Sequence, residues 1–224
     1  MAIAFVRADS DKLSAATDFG IGAGAITLEC WVKIDTAPAS GERFMFMFVT
    51  DEATDVQYLL EYENAAGTLR LHLGRNEANG DFVRVTVDLD LGTTDWHHVA
   101  GTYDTSNINL YHDGVLVAGP TATTGNGSGT TGDEGGIGAE TLNNDHHCTA
   151  TIDEARIWND ARSATELLDL RNRRMVGNEL NMRAYYRLDE GDTSTMNDMS
   201  QGGTNFTFEN TPQHADGAPI FYPA

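Results

Sequence analysis

The chain has 224 residues, 40% of them apolar, and 34 Asp and Glu against 14 Lys and Arg give a net charge of −20. Acid in that excess excludes a phosphate-binding surface for nucleic acid and disfavours docking on anionic lipid. No apolar run approaches the roughly 18 residues of a membrane span, whereas the apolar share suffices to bury the core of one all-β domain.

The opening residues 1–12 have neither the basic flank nor the apolar stretch of a secretory leader, so no signal peptide is read in this chain. From there the hydrophobic period is two. Ile26, Leu28, Cys30, Val32 and Ile34 share one face of a strand. Thr27, Glu29, Trp31 and Lys33 take the other, which reads as a wetted face with one large ring. Alternation and β-branched enrichment predict further strands over 44–49, 56–62, 68–73, 82–89, 97–103, 107–112, 115–118 and 149–158. Turn signals fall at 64–67, 76–81 and 92–95. The strongest is Asp113-Gly114, because a two-residue hairpin turn needs positive φ at both central positions. Glycine-rich residues 121–136 read as an exposed loop.

One helix interrupts this pattern. Ser163 and Glu166 form a capping-box signature, and Leu167, Leu170 and Met175 make a short apolar stripe. Arg171, Arg173 and Arg174 near its end read as a solvated terminus rather than an anion site. A helix this short is a strap on a larger body. Residues 210–224 hold three of the five prolines and read as an extended tail. Many strands, short turns and no strand–helix alternation define an all-β antiparallel sandwich.

The run Trp96-His97-His98-Val99-Ala100-Gly101-Thr102-Tyr103-Asp104, followed by Asn109 to Gly114, resembles the central signature of laminin-G-like jelly rolls. That group lies within the concanavalin A-like lectin/glucanase superfamily, with the pentraxins as relatives. Thr27 to Lys33 is similar to the family's early strand, Ile152 to Glu166 to its closing strand and helix, and Phe5 to Leu13 to its opening segment. The four blocks stand in family order and imply a single jelly-roll domain over 1–224. Tyr185 to Gly191, followed by Met199 to Gly203, resembles a segment that usually precedes the opening strand. Residues 181–208 are therefore read as a circularly permuted closing strand, with a truncated second repeat as the alternative.

The resemblance also implies Ca²⁺ held by carboxylates and carbonyls. Asp153 matches the closing-strand aspartate, while Asp9 and Asp11 lie in the opening block. Pairing of first and last strands would bring these acids together. In pentraxins a cysteine placed like Cys30 bridges to the strand resembling 96–104, which has no cysteine here; Cys30 and Cys148 are read as free thiols, with a bridge between them as the alternative if their strands are neighbours.

Catalysis finds little support. Glu61 and Glu63 have the alternate spacing of a glucanase carboxylate pair, but the further carboxylate of that pattern is missing. No G-x-S-x-G is present. His97-His98 and His146-His147 cannot chelate as adjacent pairs, since neighbouring strand residues point to opposite faces. The sequons at Asn126 and Asn205 matter only along a eukaryotic secretory route. The reading is a non-catalytic recognition module, calcium-dependent by the resemblance. It binds glycan or protein at an extracellular or virion surface, as a homo-oligomer or in multivalent display. The alternatives are a structural or decorating protein of a phage virion and a glycan-active hydrolase or lyase. Sugar binding needs an exposed ring, and none is named: Trp31 faces away from its strand's apolar side and Trp96 is read as a core residue.

Overall fold

The computed structural model describes residues 1–17, 19–22, 24–51, 56–76, 82–124, 133–141, 143–190 and 194–221. Two antiparallel sheets lie face to face. The first runs β10 (Val115–Ala122), β9 (Asn107–His112), β8 (His97–Tyr103), β3 (Ile26–Ile34), β12 (Ala150–Trp158), β1 (Ala2–Phe5) and β16 (Gln213–Ala215), and β13 (Met182–Tyr186) also pairs with β12. The second runs β14 (Thr195–Met196), β15 (Phe206–Glu209), β2 (Lys12–Ala15), β11 (Gly135–Ile137), β4 (Arg43–Asp51), β5 (Val56–Ala65), β6 (Thr68–Asn76) and β7 (Phe82–Asp88).

The core lies between them, where the period-two pattern places it. Leu28, Cys30 and Val32 of β3 and Ile152 and Ile157 of β12 meet Phe46, Leu60, Leu71 and Leu73 from the second sheet. Full burial of each large apolar side chain is worth about 1.5–3 kcal/mol. Gly101 lets the sheets approach closely, because a Cβ there would stand 2.5 Å from Leu73 Cδ1. The β9–β10 hairpin turns on Asp113 (φ 51°) and Gly114 (φ 80°), as its sequence predicts. Cys30 and Cys148 are buried and unbridged.

The closing strand carries a bulge that its sequence records. Glu154 sits at φ 51°, and the β12–β3 register shifts between Asp153 and Arg156. The extra residue keeps Ile152, Ala155 and Ile157 in the core and leaves Glu154 and Arg156 on the other face.

That outer face is not wetted. Thr27, Glu29 and Trp31 are all buried, contrary to the alternation reading, because α1 (Ala164–Leu170) and the chain after it cover the first sheet. The capping box forms as expected: Glu166 N–H donates to Ser163 Oγ (3.3 Å) and Ser163 N–H to Glu166 Oε2 (2.8 Å). Ala164 and Leu167 then pack on Ala100 and Tyr111. Carbonyls at and just past the helix end are also met from below. Trp31 Nε1–H donates to the Arg171 carbonyl (2.6 Å), and Arg156 donates to those of Leu170 (3.2 Å) and Arg173 (2.7 Å).

Arg156 also joins Glu154 (2.9 Å) and Glu29 (3.5 Å), while Trp158 Nε1–H donates to Glu29 (2.7 Å) and the Tyr185 hydroxyl to Glu154 (2.7 Å). Burial alone would raise the Glu29 pKa, but Arg156, His98 and Trp158 outweigh it and hold the carboxyl at about 2. Nor is the helix end a free cationic surface: Arg171 donates to the Asp113 carbonyl, and Arg174 pairs with Asp189 at 2.6 Å.

The C-terminal segment threads both sheets. β13 takes the place beside β12 beyond the end of β1, pairing Ala155↔Tyr186 and Ile157↔Ala184, and Tyr186 and Leu188 enter the core. β15 lies on β2, and within the 210–224 tail β16 lies on β1. Part of the glycine-rich stretch is also not an exposed loop. Gly135 and Gly136 are buried in β11 between β2 and β4, where a Cβ on Gly135 would stand 2.3 Å from the Phe19 ring. Thr121 and Ala122 close β10, and 125–132 lie outside the described residues.

Candidate functional site

The second sheet turns its other face outward, and β4 to β7 build a polar strip there. Strand alternation sends Tyr58, Leu60 and Tyr62 of β5 inward and Leu59, Glu61 and Glu63 outward. Register then sets Glu61 beside His72 of β6, and His72 beside Thr86 of β7. Glu61 accepts from Arg84 Nε (3.0 Å); Glu63 meets Arg43 Nε (3.1 Å) and His72 Nε2 (2.9 Å). His72 Nδ1 lies 2.7 Å from the Thr86 hydroxyl. Burial lowers the His72 pKa, against the opposing pull of Glu61 and Glu63.

A ring completes the strip. Phe82 lies across Gly74, where a Cβ would stand 2.3 Å from its Cε1, and packs on Leu59 beside Met45 and Phe48. The ring is half-buried and the Arg84 guanidinium lies 4.8 Å from its centre. A partly exposed ring therefore stands on β7 with an exposed guanidinium and hydroxyl, near the partly exposed Glu63, while Glu61 and His72 lie buried beneath.

The loop after β11 borders this strip. Met45 N–H donates to the His146 carbonyl (2.9 Å) on the β4 side, while Lys12 of β2 donates to Asn144 (2.6 Å) on the other. Within the loop the His146 ring meets Glu140 at 3.0 Å; that hydrogen bond raises the His146 pKa and lowers that of Glu140. Beyond it, a polar cleft of about 190 Å³ is lined by Lys12, Ser14, Glu134, Thr141 and Glu209, with no aromatic residue.

The carboxylates do not stand as a hydrolytic pair. Both are already engaged by arginines, with Glu61 almost wholly buried.

The acids expected to hold calcium are not brought together. β1 and β12 do pair, but Asp11 and Asp153 flank opposite ends of β1. Asp11 accepts from the N–H groups of Val6 and Thr211 (both 3.1 Å), and Asp153 from those of Glu154 (3.0 Å) and Ala218 (2.9 Å). Asp9 stands exposed in a 3₁₀ turn. As a set they do not fit one cation. Burial pushes the Asp153 carboxyl up to about 7.

His98 is buried against Glu29 at 2.9 Å, and His147 contacts the carbonyls of Asp11 and Asn144. Among the described residues, one group of three metal-ligating side chains converges, His97, His112 and Asp113. Trp96 is half-exposed rather than in the core, with the Lys33 ammonium 5.7 Å from its ring centre. Phe82 is the functional candidate that alternation alone did not reveal, since its role rests on the ring lying diagonally across Gly74 of the neighbouring strand.

The architecture is a two-sheet jelly roll whose first sheet is covered by α1 and the chain after it, and whose second sheet is open on its outer side along β7. The chain belongs to the concanavalin A-like lectin/glucanases superfamily, whose laminin-G-type family profile matches residues 8–168. No curated protein sequence matches it. Among solved structures it is similar to a candidate carbohydrate-binding protein from Bacteroides ovatus, with a TM-score of 0.67 and 22% identity, covering 98% of this chain and 61% of that one. This chain thus spans about six tenths of that protein's length. It is also similar to the fourth domain of an extracellular GH43 arabinanase from Geobacillus stearothermophilus, solved with arabinotriose (TM-score 0.52, 17% identity, 68% and 69% of the two chains). A third is tailspike protein 2 of an Escherichia coli O157:H7 bacteriophage (TM-score 0.56, 14% identity, 84% and 26%). At these identities the likeness concerns the fold. No helix among the described residues is long and apolar enough to cross a membrane.

Proposed function

We propose that the chain is a non-catalytic recognition module that binds neutral glycan on the outer face of its second sheet. The observation that carries this reading is the partly exposed Phe82 ring on one strand with the exposed Arg84 and Thr86, near the partly exposed Glu63. A sugar ring needs an apolar plate for its C–H face and neighbouring donors and acceptors for its hydroxyls, and this strip offers both. Membership of a lectin-like superfamily and the likeness to carbohydrate-binding structures support it. The net charge of −20 turns away polyanionic glycans. A single shallow face gives weak affinity, made useful by display of several copies outside the cell. The fold shared with a phage tailspike supports a second setting, a virion surface, for the same binding face. Calcium is not built into the reading, because Asp11 and Asp153 already spend their oxygens on backbone N–H groups.

The test is a panel of neutral oligosaccharides, arabino-oligosaccharides among them, titrated against the parent chain, Phe82→Ala and Trp96→Ala. Binding that falls roughly tenfold or more in Phe82→Ala alone, with no new reducing ends on long incubation, is expected from the loss of a stacked ring. Loss confined to Trp96→Ala would move the site to the other sheet. Hydrolysis abolished by Glu61→Gln or Glu63→Gln would make the protein an enzyme.

A further inference from the structure

The geometry points to a second site: we propose that His97, His112 and Asp113 bind a divalent transition-metal ion of the zinc type. They stand at one end of the first sheet, apart from the recognition strip. His97 opens β8 and His112 closes β9; both share the strand parity of inward residues such as Val99 and Leu110. At the rim of the sandwich that parity brings two imidazoles from neighbouring strands together, where the adjacent pair His97-His98 could not converge.

The donor atoms already describe one face of a tetrahedron. His112 Nε2 lies 2.9 Å from His97 Nδ1 and 3.3 Å from Asp113 Oδ2, and His97 Nδ1 lies 3.7 Å from Asp113 Oδ2. Zinc bound at about 2.0–2.1 Å to imidazole nitrogen and carboxylate oxygen needs ligand–ligand edges of about 3.3 Å. The three edges bracket that value.

The carboxylate is oriented for the task. Asp113 Oδ1 accepts from His98 N–H (2.9 Å), which leaves Oδ2 turned to the imidazoles, and Asp113 N–H donates to the His98 carbonyl (2.8 Å). The tight turn at Asp113-Gly114 fixes the backbone beneath it. Such outer hydrogen bonds hold a ligand in place in metal sites generally. The side chains are 19%, 20% and 39% exposed for His97, His112 and Asp113, so a fourth position is open to water. Two nitrogens and one oxygen select zinc-like ions over Ca²⁺ and Mg²⁺, which prefer oxygen throughout. The ion would tie the β9–β10 hairpin to the start of β8.

The experiment uses the tag-free full chain, stripped with chelator and desalted, and titrated with ZnCl₂ by calorimetry. One ion per chain is expected, with micromolar or tighter affinity, a rise in melting temperature, and a four-coordinate absorption spectrum when Co²⁺ replaces zinc. Asp113→Asn, which tolerates the positive φ, and His112→Val should each weaken binding roughly tenfold or more. The His97→Ala/His112→Val double variant should abolish it. His146→Ala and millimolar Ca²⁺ should change nothing. Metal-free melting shows whether each variant is folded, and Asp113→Asn decides if the histidine variants are not. No zinc binding by the parent chain, or equal affinity in Asp113→Asn and any folded histidine variant, would overturn the site.

Discussion

The two sheets present chemically similar outer faces, but the first is covered around β3 and β12, while the second is buried over the middle of β4 and β5 and open along β7. On the first, Thr27, Glu29, Trp31, Arg156 and Trp158 lie under α1 and the chain that follows, nearly closed to solvent and joined in hydrogen bonds. On the second, Arg43, Glu63, Arg84, Thr86 and Phe82 keep contact with water. Polar residues at outward strand positions thus serve two ends. Under the strap they specify how the helix segment docks; on the open face they remain available to a ligand. Position in the strand pattern does not separate these roles. What covers the sheet does.

The largest break in that comparison should come from Arg156→Ala. It takes the nearest cation from the buried Glu29 and Glu154, leaving Glu154 only the more distant Arg174, and removes a donor from the Leu170 and Arg173 carbonyls. Breaking a buried pair in this way costs about 3–5 kcal/mol, read as a lower urea midpoint. Arg70→Ala on the second sheet, whose partner Asp88 is well exposed, should shift stability by about 1 kcal/mol or less, as exposed pairs do.

Acid should act next, and on the covered face. The Glu29 pKa falls from 4.5 to about 2 on folding, so its contribution is complete above pH 4.5 and is lost as pH drops toward 2. That shift corresponds to about 3 kcal/mol. Glu29→Gln should show a flatter stability profile between pH 4.5 and 2 than the parent; an equally steep one would contradict the assignment.

Asp153 has the opposite sign. Its folded pKa is raised from 3.8 to about 7, so the folded chain holds the proton more tightly and stability falls as pH rises between those values. Asp153→Asn removes the buried charge but gives up one acceptor for a backbone N–H. A net gain of about 1–2 kcal/mol at pH 8, absent at pH 4, is expected. The smallest effect belongs to the strap's start: Ser163→Ala should cost about 1 kcal/mol through the lost cap.

Much of this was legible in the residues. Strands 26–34, 97–103 and 107–112 match the alternation to the residue, and Asp113-Gly114 and Ser163 to Glu166 act as their local chemistry dictates. The short strands were not. β11 is built on two glycines, which carry no pattern, and β14 and β16 are too brief to show a period. The covered face misled because alternation reports which side a residue takes and is silent on what lies there. The site was harder still. Phe82 depends on its ring crossing Gly74 of the next strand, and the His97–His112 meeting depends on strand pairing, neither of which can be read along one strand. The calcium acids were found by resemblance, but the strand pairing that should unite them places Asp11 and Asp153 at opposite ends of β1.

The most direct test of the division between covered and open faces is a chemical-shift map of the backbone amides during titration with the tightest-binding neutral oligosaccharide. The account predicts that the largest shifts fall on β5 to β7, around Glu61, His72, Phe82 and Arg84, while β3, β12 and α1 stay still. Shifts centred on Trp96 to His98 or on α1, with the β5–β7 strip unmoved, would contradict it.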